Sequence, residues 1–95
     1  METTGSLSDH KGETMLNIFP NPCKGDTFFY TDDPEAAWVC LFDPSGHLQE
    51  KWSILPGKTI HVNFNLATGT YHLVLQDHFQ NPLGLAKPLF ISDHH

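Results

Sequence analysis

The sequence predicts an all-β domain, an immunoglobulin-like antiparallel β-sandwich of about seven short strands. Three observations predict it. Apolar residues alternate with polar ones at period two in several short runs. Prolines and glycines fall between these runs or at their ends. No stretch free of both carries an apolar stripe of helical period, so almost no helix is expected.

The runs, in order, are Leu16–Phe19, Asp26–Thr31, Ala36–Phe42, His47–Ser53, Lys58–Phe64, Thr70–Asp77 and Leu83–Ile91. In the fifth, Ile60, Val62 and Phe64 face one way, and Thr59, His61 and Asn63 the other. In the third, Val39 and Leu41 alternate with Trp38, Cys40 and Phe42. In the sixth, Tyr71, Leu73 and Leu75 alternate with His72, Val74 and Gln76. Spacing of about 8–12 residues between turn signals favours a sandwich; a small closed barrel is the alternative. Pro88 lies inside the last run and cannot donate to a ladder, so that strand is expected at a sheet edge or with a bulge.

With 95 residues the chain has room for a single core. Hydrophobic residues make up 39% and charged residues 17%, a globular composition. The aromatics, 7 Phe, 2 Tyr and 2 Trp, supply the large side chains that so small a core needs. The formal charge is −6, and no basic cluster occurs, which argues against a nucleic-acid partner. No apolar run approaches the ~20 residues of a membrane-spanning helix. Met1–Met15 is polar, so an exported protein carrying this chain is expected to have its export signal elsewhere. Residues 1–14 read as a linker or tail, residues 15–92 as the sandwich, and residues 93–95 as a polar stop. Cys23 falls in a turn and Cys40 in a strand. Their spacing matches no disulfide framework or zinc signature, which leaves open one bridge or two free thiols.

Three motifs punctuate the runs. In Pro20-Asn21-Pro22 each proline fixes its own φ and pushes its predecessor into extended geometry. Gly25 is expected to take the positive φ that returns the chain to the sheet. In Asp43-Pro44-Ser45-Gly46, aspartate starts a type I turn, proline presets φ and glycine closes it. A role for Asp43 as ligand or acid is the weaker alternative, because turn initiation already explains it. In Leu66-Ala67-Thr68-Gly69-Thr70-Tyr71, a tyrosine enters a strand after a glycine turn, as in the tyrosine corner of sandwich domains.

The order of these motifs resembles the type A C-terminal sorting domain of the type IX (Por) secretion system of Bacteroidetes. The resemblance opens with Ile18-Phe19 before Pro20-Asn21-Pro22-Cys23-Lys24-Gly25. It continues through Phe42-Asp43-Pro44-Ser45-Gly46 and Leu66 to Tyr71, and closes with an apolar strand carrying a lysine, Lys87 to Ile91. It spans Leu16 to about Ser92. His47 stands where the family usually has Arg or Lys, and the chain ends Ser92-Asp93-His94-His95 instead of on a basic residue.

The resemblance implies a non-catalytic address label at the C-terminus of an exported cargo. It implies passage through the periplasm, recognition by the outer-membrane translocon, and removal by a sortase-like peptidase at the cell surface. The cargo is covalently joined on the N-terminal side, and neither cofactor nor membrane insertion is implied. The motif and recognition residues it points to are Pro20, Asn21, Pro22, Gly25, Asp43, Gly46, Leu66, Gly69, Tyr71, Lys87, Leu89, Phe90 and Ile91. The last strand, if it forms a free edge, offers backbone groups for strand addition.

Other chemistries have less support. Ser45, Ser53 and Cys40 lack a nucleophile elbow, and Asp32-Asp33 beside Pro34 reads as a solvated turn. His61 and His72 both point outward and converge only if their strands are neighbours; no metal site is expected. The alternative function is a carbohydrate- or protein-binding sandwich using Phe28, Tyr30, Trp38 and Trp52 as an outward platform.

Overall fold

A computed structural model describes residues 15–92, so the tails expected at 1–14 and 93–95 lie outside the described residues. Each of the seven runs holds one strand. They are β1 (Leu16–Phe19), β2 (Asp26–Thr31), β3 (Trp38–Phe42), β4 (Leu48–Ser53), β5 (Ile60–Asn63), β6 (Gly69–Gln76) and β7 (Lys87–Ile91). No helix occurs among the described residues. The last run departs furthest from its expected length. Gly84 takes φ of 87° and turns the chain, so Leu83–Ala86 belongs to the loop and β7 begins only at Lys87.

The strands form two antiparallel sheets, β1-β2-β5 and β4-β3-β6-β7. In immunoglobulin lettering the order is A, B, E against C′, C, F, G, with the fourth strand paired to the third. The two sheets remain separate ladders, which answers the sandwich-or-barrel question in favour of the sandwich. Successive strands run in opposite directions. The β1–β2, β3–β4 and β5–β6 connections therefore lie at one end, and the chain leaves β7 there. The chain enters β1 at the other end, beside Thr31 and the Gly57 turn, where the Gly57 N–H donates to the Thr31 carbonyl at 2.7 Å.

The core follows the alternation. Phe29, Val39, Leu41, Leu73, Leu75 and Leu89 are fully buried, one or two from each of β2, β3, β6 and β7. Burying side chains of this size contributes about 1.5–3 kcal/mol each. That gain is offset by the entropy of ordering the chain. Trp52 also points inward, its ring edge-on to Phe29 at 5.4 Å. This corrects its expected place on an outward platform: it lies opposite Val39 in the ladder, on the core side. Both buried threonines are satisfied, whereas Gln76 Oε1 is buried without a hydrogen-bond partner. Thr27 Oγ1 donates to the Pro20 carbonyl at 2.8 Å, and Thr31 Oγ1 accepts the Asp33 N–H at 3.1 Å.

Candidate functional site

Pro20-Asn21-Pro22 lacks two backbone N–H groups and so cannot continue β1 as a ladder strand. The chain leaves the first sheet here, through cis bonds at Phe19-Pro20 and Asn21-Pro22, and crosses to β7 of the second. Asn21 supplies by side chain what the prolines cannot supply by backbone. Its Nδ2 donates to the Pro88 carbonyl at 3.0 Å, and its Oδ1 accepts the Phe90 N–H at 2.9 Å. Cys23 then pairs in parallel with Ile91: its N–H donates to the Phe90 carbonyl at 2.9 Å, and its carbonyl accepts the Ser92 N–H at 2.8 Å. Lys87 closes the same seam further along, its Nζ donating to the Leu16 carbonyl at 2.7 Å.

These bonds decide what β7 offers a partner. Residues 88, 90 and 92 turn their backbone groups away from β6, and Asn21 and Cys23 take those groups up. Pro88 occupies an outward position where no N–H is required, so it costs the ladder nothing. The expectation of a free edge for strand addition is therefore corrected: this stretch of edge is already occupied. Side chains divide in the same way. Leu89 and Ile91 are core residues at 0% and 3% exposure, while Phe90 stands 44% exposed.

The other motif residues build turns at the same end. Asp43 Oδ1 accepts the N–H groups of Ser45 and His47, each at 2.9 Å, and Gly46 takes φ of 89°. The Asp43 carboxyl is held below the usual aspartate range, chiefly by the His47 backbone N–H; slight desolvation opposes this, and the Ser45 N–H adds to it. The acid is a turn anchor, already saturated by its own loop. Tyr71 forms the expected tyrosine corner, its hydroxyl donating to the Ala67 carbonyl at 2.8 Å, with Leu66 packed half-buried on the core. Gly69 opens β6 beside the Tyr71 ring. Gly25 departs from expectation. Its φ is not positive, and its carbonyl accepts the Phe64 N–H at 3.0 Å as the chain enters β2.

The remaining candidates are separated or used up. His61 lies on the outer face of the first sheet, bonded to Asp26 Oδ2 at 2.7 Å, and His72 lies in the second sheet. They cannot share an ion. Phe19, Phe28 and His61 stack ring on ring, at centroid distances of 5.8 Å and 4.6 Å, so that Phe28 has a ring neighbour on either side. The Lys51 ammonium sits 4.6 Å above the Trp38 ring. Cys23 and Cys40 are free and buried, and burial pushes both thiols up; Asp26 adds to the effect at Cys23, and Lys51 opposes it at Cys40. An open depression of about 410 Å³ lies between the Pro20-Pro22 corner and Phe28, edged by Lys24 and Asp26.

Compared with known protein families, curated proteins and solved structures, the chain matches none.

Proposed function

We propose that this chain is a C-terminal sorting module that directs a cargo, joined on its N-terminal side, through a type IX secretion system. One observation carries the reading: every turn that bears a sorting motif lies at one end of the sandwich. The Pro20-Asn21-Pro22 corner, the Asp43–Gly46 hairpin and the Leu66–Tyr71 corner all join strands at the end where the chain leaves β7. A cargo on the N-terminal side attaches at the opposite end. The motif end is then the part that cargo obstructs least, which is what an address label requires.

On this reading the label is a folded object, not a linear peptide. Asn21 bonds across 67 and 69 residues to Pro88 and Phe90, so the first and last motifs have meaning only together. The module passes through the periplasm and is read at the outer membrane by the translocon. A sortase-like peptidase then cuts it away at the cell surface. It acts as substrate and address, not as catalyst.

The test is export of a reporter fused ahead of the chain in a type IX-competent host. The full chain is expected to bring the reporter to the surface or medium, and deletion of residues 83–95 to leave it in the periplasm. Undiminished export after that deletion sinks the reading. A native gene encoding a free-standing cytosolic polypeptide sinks it equally.

A further inference from the structure

The two outer faces of the sandwich differ in kind. The first sheet turns out Asn17, Asp26, Tyr30, His61 and Asn63, and its two exposed phenylalanines stack on each other, Phe28 also against His61. The second sheet turns out a row of side chains that is apolar at every position but His72. Phe42 stands opposite Leu48 on one side and His72 on the other, and His72 stands opposite Pro88. Phe90 lies in the adjoining rank, opposite Thr70. Leu48 is 53% exposed and Phe90 44%. An antiparallel sheet with one solvated face normally alternates apolar-in with polar-out, so a row like this marks a contact surface.

Charge and area say what kind of partner fits. The chain carries 11 acidic residues against 5 basic ones. Yet no strand position on this face, among the described residues, is Asp or Glu. Its basic side chains are Lys51, whose ammonium lies over the Trp38 ring, and His72. Four strands about 4.8 Å apart and five residues long give roughly 300 Å² of face. A stable interface takes about 800 Å² of accessible surface from each partner, and the plan area of these strands alone lies below that. The face suits a transient contact with an apolar groove rimmed by carboxylates.

We propose that this face, from Leu48 across Phe42 to Pro88 and Phe90, is the surface by which the export machinery grips the module. The inference rests on the sorting reading and deepens it by naming the surface that is read. The row borders the Asp43 hairpin and the end of β7, so it is continuous with the motif end. The motif residues hold the turns in place, and the apolar row makes the contact. The small area allows release after transfer.

The test uses the full chain behind a reporter in a type IX-competent host. Leu48→Glu combined with Phe90→Glu places two carboxylates on the face, and Phe79→Glu, at a loop residue 83% exposed at the opposite end, serves as control. Circular dichroism and the melting temperature confirm folding before export is scored. The double variant is expected to lose at least about tenfold in export, with Phe79→Glu unchanged. If the glutamates lower the melting temperature, Leu48→Gln with Phe90→Gln reads the same face without added charge, and the same loss is expected. Full export of a folded face variant overturns the surface and leaves the sorting reading standing. No export of the unchanged chain overturns both. A stable dimer by sedimentation that the face variant abolishes assigns the row to a second copy and overturns the proposal.

Discussion

Two hairpin loops at opposite ends of the molecule have the same geometry and different sequences. At the motif end, Asp43 N–H donates to the His47 carbonyl and Gly46 N–H to the Asp43 carbonyl, each at 2.9 Å. At the entry end, Asp77 N–H donates to the Asn81 carbonyl and Gln80 N–H to the Asp77 carbonyl, each at 3.0 Å. In both, the aspartate Oδ1 accepts the N–H groups two and four residues on, all at 2.9 Å. In both, the fourth residue is left-handed, with φ of 89° at Gly46 and 68° at Gln80. This is a type I turn followed by a left-handed residue, the usual three-residue hairpin loop. The difference lies in who fills it. The motif end uses Pro44 and Gly46, which suit the geometry; the entry end uses His78 and Gln80, and Gln80 is strained there. The aspartate fixes the loop; proline and glycine only ease it.

The largest effect that tests this comparison comes from making the relaxed loop resemble the strained one and going further. Nothing lies within 4 Å of a Cβ built on Gly46, so any cost of a side chain there is conformational and not steric. Gly46→Val is expected to lower stability by about 1–2 kcal/mol, since β-branched residues tolerate positive φ least. Urea unfolding with an unchanged m-value checks it. An unaltered midpoint contradicts the assignment of strain to φ.

The converse change is smaller. Gln80→Gly relieves the left-handed strain, worth about 1–2 kcal/mol, but gives the unfolded chain more freedom, worth about 0.4–1 kcal/mol. A net gain of roughly 0.5–1 kcal/mol is expected. A loss of stability on thermal or urea unfolding means that the Gln80 side chain makes a contact that outweighs its backbone strain.

These loops also show how far the sequence could be read. Asp43-Pro44-Ser45-Gly46 announced its hairpin because proline and glycine are the visible signals. The Asp77 loop was hidden, because its anchor is the same acid but its left-handed residue is a glutamine. The strands and their faces were legible from alternation. Residues 38–42, Trp-Val-Cys-Leu-Phe, are apolar on both faces, the pattern of a strand covered on both sides. That pattern points to the row later found on the outside of the second sheet. The seam was beyond reach. Asn21 meets Pro88 and Phe90 only because β1 and β7 are brought together by the whole topology, and no local spacing encodes that. The inward turn of Trp52 depended in the same way on ladder register, which the run His47–Ser53 left open because a bulge falls between Leu41 and Phe42.

The smallest effect is a shared one, and it asks whether the two aspartates do the same work. The Asp43 carboxyl is held low chiefly by the His47 N–H, and the Asp77 carboxyl chiefly by the Asn81 N–H, with the Ser45 and Phe79 N–H groups adding to each. A carboxyl depressed in the folded state binds its proton less readily there than in the unfolded chain, whose aspartates titrate near about 3.9. The unfolded state therefore holds more protons between those two values, and stability rises with pH across that window. The contribution is whole above the unfolded value and disappears as pH falls through the folded one, so both loops loosen only on the acid side of about pH 4. Asp43→Asn and Asp77→Asn keep an acceptor oxygen for the turn but have no proton to gain. Each is expected to flatten part of the acid limb of the melting temperature, and the double variant to flatten both parts additively, because the loops lie at opposite ends. If the double variant's acid limb is as steep as the unchanged chain's, the loops are not held by their carboxylates, and the likeness between them is one of shape alone.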